Sequence, residues 1–314
     1  MAGGQVLSAP GLRLALAAAI AAAPLLMAGC ATSSPQAATS ATTPSHASSP
    51  APATPAGHAV SYAPQVVLPF GDFINHLSGL AVDSASNAYV LDFKYGQVWK
   101  QAAGSSRPTT LAFDRVGQAT DVAVDTVGNL YVADNFNHRV VKMVPGVSNP
   151  TVLPFVGVDR IDDVAVDTEG NVYASSANRI LKLTPGDSGA TVLPFGEIGR
   201  LMDVAVDADG GVYVTDADTN RVLKLSAGAS NPTLLPFGDM RQPTDIAVDV
   251  DGNVYVSDFN ADRVLKLAAG ADTPELLPFS GLDEPSALAV DKTGAVYVLD
   301  EGNFRVLKLP VRRG

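Results

Sequence analysis

A Val-Asp pair recurs six times at a nearly constant interval, and this repeat restricts the possible folds more than any other feature of the sequence. The intervals are 42, 42, 40, 42 and 42 residues, measured between Asp83, Asp125, Asp167, Asp207, Asp249 and Asp291. Short apolar runs separated by turn residues fill each interval. Because four short strands per period of about 42 residues are typical of a propeller blade, the sequence predicts an all-β fold, a six-bladed β-propeller with four-stranded antiparallel blades.

The run Leu-Pro-Phe, which occurs five times and has Leu111-Ala112-Phe113 as its variant, indicates which strand lies outermost. Its prolines, which we place inside the fourth strand, are Pro69, Pro154, Pro194, Pro236 and Pro278. Proline removes a ladder hydrogen bond from a central strand and is tolerated at an edge, so the fourth strand is predicted to be the outer edge of each blade. The last repeat ends after its third strand, near Leu309. We therefore expect residues 62–70 to pair with residues 306–309 and close the ring.

The charge balance and the cysteine count exclude several classes of function. Lys and Arg total 21 against 32 Asp and Glu, which gives a formal net charge of −11. Nucleic acids and anionic membrane surfaces need clustered Lys and Arg, so neither is expected as a partner. The single cysteine excludes a disulfide framework and a cysteine-based zinc site. About 250 residues follow residue 60, enough for one large domain, which we expect to be monomeric.

The first 60 residues indicate an export signal followed by a tether. An apolar run after Arg13 is too short for a comfortable membrane span and ends in small residues, as secretory signals do. The segment Leu26-Met27-Ala28-Gly29-Cys30 resembles a bacterial lipoprotein signal. This resemblance implies a signal peptide over residues 1–29 and a lipid anchor on Cys30. The alternative is a secreted protein whose cysteine is incidental.

Residues 30–60 differ in composition from the repeats. They are rich in Ala, Ser, Thr and Pro and carry no formal charge, so they cannot bury enough apolar surface to order themselves. We expect a disordered stalk over residues 30–60 and the propeller over residues 61–314. The whole is predicted to be an exported cell-membrane lipoprotein that faces the outside and touches the membrane only through its lipid.

The repeats resemble the NHL family. The run Asp125-x-x-Gly128-Asn129-Leu130-Tyr131-Val132, continued by Asn137-x-Arg139-Val140, carries this resemblance, and residues 210–225 and 252–267 repeat it. WD40 repeats have a similar period, but their Gly-His and Trp-Asp signatures are absent. The Val-Leu-Pro-Phe and Val-Leu-Lys-Leu phrases are similar to the extracellular sensor propellers of mycobacterial receptor kinases. That similarity implies an actinobacterial surface protein whose propeller binds a ligand outside the cell; no kinase motif is present.

The loops after the second and fourth strands vary most between repeats, and in a propeller they share one face. Variable loops on a rigid scaffold commonly carry binding sites. The candidate binding-face residues on these loops are His76, Phe136, His138, Arg241 and Phe259. Blade three has two fewer residues between Tyr173 and Arg179 than blade two has between Tyr131 and Arg139, which predicts a notch in this face.

Four blades carry an aspartate at the same position of the first strand, where blades one and six have Gly79 and Ala287: Asp121, Asp163, Asp203 and Asp245. Equivalent positions lie at one radius, so we expect an arc of carboxylates around the channel mouth. Like charges raise one another's pKa or recruit a cation, and hard cations prefer several oxygen ligands. The arc predicts a Ca²⁺ or Mg²⁺ site or a pocket for a cationic ligand; no other cofactor is expected.

A structural explanation of the arc is also open. An arginine precedes each of these aspartates by three to six residues, at Arg115, Arg160, Arg200 and Arg241. Pairing between these arginines and the aspartates would neutralise the arc without any ligand.

Three functions remain open. The first is a binding or adhesion module for an extracellular ligand or protein, without catalysis of its own. The second is a propeller-type hydrolase or lyase with a metal site at the channel mouth, although only His76 and His138 could supply imidazoles outside the stalk. The third is a scaffold that docks protein partners and binds no small ligand.

Overall fold

The computed structural model describes residues 60–71, 76–111, 116–147 and 149–312, which form 24 strands in six four-stranded antiparallel sheets. The predicted all-β, six-bladed propeller is therefore confirmed. Within these ranges no helix has the length and apolar character that crossing a membrane requires. The predicted signal peptide, Cys30 and the stalk up to residue 59 lie outside the described residues.

The first strand of each blade lines the central channel. In blades 1 to 6 these strands are β2 (Leu77–Val82), β6 (Ala119–Val124), β10 (Val164–Val166), β14 (Leu201–Val206), β18 (Pro243–Val248) and β22 (Pro285–Val290). Neighbouring first strands touch one another all the way round, including β22 against β2. The sheets are thus arranged as a ring.

The second strand of each blade is buried on both of its sides. These strands are β3 (Ala88–Asp92), β7 (Leu130–Asp134), β11 (Val172–Ser176), β15 (Val212–Asp216), β19 (Val254–Asp258) and β23 (Val296–Asp300). All of their residues are buried. A strand that is covered on both faces has a nearly continuous apolar sequence. This explains why apolar and polar residues do not alternate in the Val-Tyr-Val segments.

The third strands follow in the same order, and the outer strands are short. The third strands are β4 (Gln97–Gln101), β8 (Arg139–Met143), β12 (Arg179–Leu183), β16 (Arg221–Leu225), β20 (Arg263–Leu267) and β24 (Arg305–Leu309). The outer strands are β5 (Thr109–Leu111), β9 (Thr151–Val152), β13 (Thr191–Val192), β17 (Thr233–Leu234), β21 (Glu275–Leu276) and β1 (Val66–Val67). Each outer strand pairs only with the third strand of its blade.

The prolines do not lie inside the outer strands, so that part of the prediction was wrong. In blade 2, β9 ends at Val152, the Leu153 amide still bonds the Val140 carbonyl, and Pro154 comes next. Proline therefore stands just past the ladder, where its missing N–H costs no strand hydrogen bond. The conclusion drawn from it, that the fourth strand is the outer edge, is confirmed.

Ring closure follows the prediction, with a shorter strand than expected. In blade 6, β1 pairs antiparallel with β24, with Val66 opposite Lys308 and Val67 opposite Leu307. An isolated bridge joins Tyr62 to Val311, and the side chain of Gln65 bonds the backbone of Ser280 in both directions. The N-terminal segment thus ties the last blade into the ring.

A repeated Asp-Tyr-Lys contact, which the sequence analysis missed, supports every blade. The aspartate of each Val-Asp pair accepts a hydrogen bond from the tyrosine hydroxyl of the second strand, at 2.8 to 3.1 Å. A lysine of the third strand lies over the same ring, 4.7 to 5.7 Å from its centre. These tyrosines are 0–3% exposed, so each carries a buried hydroxyl that needs the aspartate.

The two faces of the ring differ in their loops. We call the face with the loops after the first and third strands, such as residues 207–211 and 226–232, the turn face. The face with the loops after the second and fourth strands, such as residues 217–220 and 238–242, is the variable face. The shorter loop predicted for blade 3 is confirmed: Ala177 and Asn178 alone join β11 to β12, both with positive φ.

Candidate functional site

The four predicted aspartates lie together at the mouth of the central channel on the variable face. Asp121, Asp203 and Asp245 stand in β6, β14 and β18, and Asp163 directly precedes β10. A cavity of about 420 Å³, lined by all four, opens towards the variable face. A narrower space of about 180 Å³ continues along the channel between the first strands. We call this arrangement the mouth site.

The carboxylates of the mouth site are close enough to act as one group. One oxygen from each of Asp121, Asp163 and Asp203 lies within 4.8 Å of the other two. Asp121 accepts a hydrogen bond from the Val164 amide of the next blade, at 3.1 Å. In the same way Asp203 accepts one from the Ile246 amide at 2.8 Å. The arc is thus built across blade boundaries.

Two further contacts explain which residues make up the arc of aspartates. The Ser175 hydroxyl donates to Asp163 at 2.7 Å. In blade 1 a Cβ on Gly79 would lie 2.8 Å from the Asp121 carboxylate. Blade 1 therefore has no room for a fifth aspartate, and its glycine gives Asp121 the space it needs.

The acid-base properties of the four aspartates differ from those of ordinary surface carboxylates. Asp203 is 8% exposed, and Asp121, Asp163 and Asp245 are partly exposed where they line the cavity. Burial raises the pKa of Asp121 to about 7. Burial first, and then the neighbouring carboxylates, raise the pKa of Asp163, Asp203 and Asp245 well above the ordinary value. Near neutral pH the group therefore either holds protons or gains from a bound positive charge.

Arginine pairing does not neutralise the arc among the described residues. Arg160 pairs with Asp162 at 2.6 Å, and Arg200 approaches Asp218 at 4.0 Å. The Arg241 amide bonds Asp258, and no ion pair of its guanidinium is found in the described part of the chain. Arg115 lies outside the described residues. The structural explanation by Asp–Arg pairing was therefore wrong for Arg160, Arg200 and Arg241.

The predicted binding-face residues divide into two groups. Phe259 lines the mouth cavity. His76, Phe136, His138 and Arg241 are exposed on the variable face and are not part of the cavity wall. The described residues that could hold a metal through three close ligands include neither histidine.

Several wall residues were not predicted from the sequence. Gln242 and Glu301, from loops of blades 5 and 6, complete the rim, and Thr244 and Ser286 lie deeper. The Ser286 hydroxyl oxygen is buried and has no hydrogen-bond partner among the described residues. The residue types at these positions differ from repeat to repeat, so the repeat pattern did not single them out. Counting back along the first strand from the Val-Asp pair would have placed Thr244 and Ser286 at the channel mouth, next to Asp245 and Ala287.

A third set of aspartates, at the ends of the second strands, shapes the loops of the variable face. Asp134, Asp216, Asp258 and Asp300 are fully buried, and each pairs with the arginine that begins the next strand, at 2.6 to 3.0 Å. Asp92 caps the Lys94 and Tyr95 amides. These aspartates therefore serve the structure, as turn caps and as partners of the arginines.

Blade 3 departs from this pattern. Ser176 replaces the aspartate, and no ion pair of Arg179 is found in the described part of the chain. The two-residue turn lacks the longer loop whose amides the equivalent aspartate caps in blade 1, those of Lys94 and Tyr95, so blade 3 does not need the carboxylate.

The Asp-x-Asp-Gly turns are structural. Asp207 accepts hydrogen bonds from the Asp209 and Gly211 amides, and Gly210 has a φ of 78°. Such a left-handed residue favours glycine, and the Tyr213 hydroxyl and the Lys224 ammonium occupy the rest of the carboxylate.

Comparison with known proteins supports the repeat assignment and the fold. The NHL repeat model matches residues 240–267 and 282–309. Curated protein sequences gave no match. Among solved structures, a streptogramin B lyase is 12% identical with a TM-score of 0.59, covering 82% of this chain and 100% of that chain. A gluconolactonase from Xanthomonas campestris is 14% identical with a TM-score of 0.64, covering 82% and 99%.

A chain of a nidogen/laminin complex is 18% identical with a TM-score of 0.60, covering 68% of this chain and 84% of that chain. Identities this low establish the shared fold and nothing about the activity. This chain is therefore similar in architecture to a streptogramin B lyase, a gluconolactonase and a chain of a nidogen/laminin complex. It is a six-bladed β-propeller that contains NHL repeats.

Proposed function

We propose that this propeller is a binding module whose mouth site takes a positively charged ligand. The observation that carries the proposal is a group of four close, enclosed carboxylates with raised pKa values and no arginine partner among the described residues. A bound cation would offset the burial that raises these pKa values and, at Asp163, Asp203 and Asp245, the added repulsion between carboxylates. The shared chemistry is a cation that accepts carboxylate oxygens, either a divalent metal ion or an ammonium or guanidinium group.

The cavity wall supports a ligand larger than a bare ion. Phe259 offers an aromatic face, and Glu301 adds a further carboxylate at the rim. An organic cation gains from an aromatic neighbour, and the buried Ser286 hydroxyl is available as a hydrogen-bond partner. The volume of about 420 Å³ lies within the range of small-molecule sites.

The melting temperature tests this proposal. After chelator treatment, Ca²⁺, Mg²⁺ and agmatine are added separately to wild type and to the variant D163N/D203N at neutral pH. A ligand at about 100 times its Kd contributes about 2.7 kcal/mol, which corresponds to roughly 5–10 °C for a domain of this size. We expect this rise for at least one cation in wild type and its loss in the variant.

The exposed Asp187 gives the matched control. D187N removes one carboxylate charge on the turn face, where the double variant removes two at the mouth, and should keep the full response. If none of the three cations raises the melting temperature of wild type, or if D163N/D203N responds equally, the cationic-ligand proposal fails. A response to Ca²⁺ or Mg²⁺ would identify a metal site, and a response to agmatine would identify a site for an organic cation.

We also propose that the protein acts outside the cytoplasm, held to a membrane by a lipid on Cys30. The Leu26-Met27-Ala28-Gly29-Cys30 segment and the uncharged stalk support this location, and two or more acyl chains suffice for stable anchoring. The resemblance to sensor propellers agrees with it. Incorporation of labelled palmitate into wild type but not into C30S would support the anchor, and equal labelling of both would refute it.

A metal-assisted hydrolase or lyase is a second candidate. It is favoured by the three carboxylate oxygens within 4.8 Å at the base of an open cavity, since such a site could hold a metal that polarises a carbonyl. Hydrolysis of simple lactones in the presence of Ca²⁺ or Mg²⁺ would support it when wild type and D187N are active and D163N/D203N is inactive. Metal binding without turnover would leave the binding module as the function.

A further inference from the structure

On the turn face, equivalent grooves run between neighbouring blades. The groove between blades 3 and 4 has a volume of about 610 Å³, and the groove between blades 4 and 5 about 400 Å³. The walls of the first include Tyr173, Lys182 and Leu193 on one side and Ala229 on the other. The second repeats the same walls with Tyr213, Lys224, Leu235 and Ala271. Both have volumes typical of ligand sites.

The next groove, between blades 5 and 6, contains a side chain of the protein itself. Tyr62 packs on the apolar cluster that includes Tyr255, Leu277 and Leu309. Its backbone bridges to Val311, and the Ala63 amide bonds the Pro310 carbonyl at 2.7 Å. Burial, together with the carboxylates of Glu275 and Asp249, raises the pKa of Tyr62. Its hydroxyl is buried close to that of Tyr255, without a well-aligned hydrogen bond.

The repeat register shows why this groove is filled while the grooves between blades 3 and 4 and between blades 4 and 5 are open. Tyr62 lies six residues before Leu68 of the Leu-Pro-Phe run, and Ala229 and Ala271 lie six residues before Leu235 and Leu277. The three residues are therefore equivalent. A methyl group at this position leaves the groove open, and a tyrosine ring closes it.

The walls of the filled groove are more deeply buried than the walls of the two open grooves. Leu277 is 2% exposed and Lys266 is 5% exposed in the groove that holds Tyr62. Their equivalents Leu193, Leu235, Lys182 and Lys224 all remain partly exposed. An aromatic side chain in the open grooves would thus cover apolar and lysine surface that is buried in the filled one.

We propose that the two open grooves each bind a tyrosine side chain from a basic segment of a partner protein. Tyrosine is the occupant that the fold itself selects in the equivalent groove. The rims carry Asp167, Glu169 and Asp209 in one groove, and Asp209 and Asp251 in the other. Cationic residues beside the tyrosine would match these carboxylates. The partner surface lies on the face opposite the mouth site and is independent of it.

Titration with a synthetic peptide tests the proposal. The probe is Arg-Ser-Tyr-Ala-Pro-Arg with blocked ends, whose centre repeats residues 61–64. Calorimetry with the full propeller should show two binding sites for wild type, one for A229Y or A271Y, and none for A229Y/A271Y. A peptide with alanine in place of tyrosine should bind at least tenfold more weakly. V156Y, which adds an exposed tyrosine on the other face, should keep both sites.

A second measurement does not depend on those variants folding well. Y62A should lower the melting temperature, and 4-methylphenol should restore part of it, because the empty groove then accepts a free phenol ring. D163N/D203N should bind the peptide as wild type does, which separates this site from the mouth site. Peptide binding that is absent, or that survives in A229Y/A271Y, would overturn the proposal, as would Y62A without any response to 4-methylphenol.

Discussion

Two aspartates, one in a strand and one in the turn that follows it, behave in opposite ways. Asp203 in β14 faces the mouth site, and Asp207, directly after β14, begins the turn on the other face. Burial raises the pKa of Asp203 well above its ordinary value, and the charge of Asp245 adds to this. Burial also acts on Asp207, but hydrogen bonds from Tyr213, Gly211 and Lys224 outweigh it and lower its pKa.

The number of donors accounts for the contrast. The Asp207 carboxylate accepts hydrogen bonds from the Asp209 and Gly211 amides, the Tyr213 hydroxyl and the Lys224 ammonium. Asp203 accepts from the Ile246 amide and faces other carboxylates. The same residue type is thus structural where its own turn satisfies it and is available to a ligand where it lacks donors.

Removing a donor-rich aspartate should have the largest effect. D207A leaves the Tyr213 hydroxyl and two turn amides without their acceptor, and we expect a loss of about 3–5 kcal/mol, or roughly 10 °C in melting temperature. Because the folded pKa of Asp207 is lowered, its contribution is present above the ordinary pKa of 3.8 and is lost as the pH falls. Thermal melts at neutral and strongly acidic pH measure it. A loss below 1 kcal/mol at neutral pH would contradict the role given to its donors.

Removing one donor from a buried aspartate should have the next largest effect. Arg221 pairs with the fully buried Asp216 at 3.0 Å, and Arg179 occupies the same register in blade 3 opposite Ser176. R221M should cost about 2–3 kcal/mol, because it leaves a buried charge with fewer partners. R179M is the matched control and should cost little, since exposed unpaired arginines contribute little.

The acid dependence of R221M sharpens this prediction. Burial tends to raise the pKa of Asp216, but hydrogen bonds from Thr219, Arg221 and the Gly199 amide outweigh it and lower the pKa. The stability gained from this carboxylate is present above its ordinary pKa of 3.8 and disappears as the pH falls. Urea unfolding of both variants should therefore differ near neutral pH and converge in acid. Equal losses for R221M and R179M would show that the pair has no stabilising role.

Neutralising the donor-poor aspartates should stabilise the protein. The folded pKa values of Asp163 and Asp203 lie above the unfolded ones, so their favourable contribution is present below the ordinary value of 3.8 and is lost as the pH rises. D163N/D203N should gain about 1–2 kcal/mol near neutral pH, roughly 2–8 °C, and nothing in acid. Melting curves across pH, recorded after chelator treatment, measure the difference. If D163N/D203N is less stable than wild type at neutral pH, repulsion between these carboxylates does not destabilise the folded protein.

The sequence was sufficient for the architecture because the repeat encodes it directly. A period of about 42 residues, the Val-Asp register and the outermost Leu-Pro-Phe run specify six blades, their strand order and the closing strand. The proline placement failed because the outer strands are only two or three residues long, and a pattern cannot show where such a short ladder ends. The shared register also placed Asp121, Asp163, Asp203 and Asp245 together correctly.

The remainder of the mouth site depends on contacts that no repeat encodes. The proposed arginine pairs failed because Arg160 and Arg200 have closer partners in Asp162 and Asp218. Gln242, Glu301 and Ser286 reach the cavity from positions that differ between blades. Tyr62 fills its groove only because the N-terminal segment replaces a loop of blade 6. Each of these depends on three-dimensional proximity across blade boundaries.

The smallest expected effect comes from removing a single donor of a turn aspartate. Burial alone would raise the pKa of Asp83, but hydrogen bonds from Asn87, the turn backbone and Tyr89 outweigh it and lower the pKa. Y89F removes one hydroxyl donor, at 2.9 Å, and keeps the Ala85 and Asn87 amides. We expect a cost of about 1 kcal/mol near neutral pH and an upward shift of the Asp83 pKa in an NMR titration. Since a lost packing contact would change stability at every pH without moving that pKa, an unshifted Asp83 would show that the tyrosine hydroxyl does not help to hold the turn aspartate ionised.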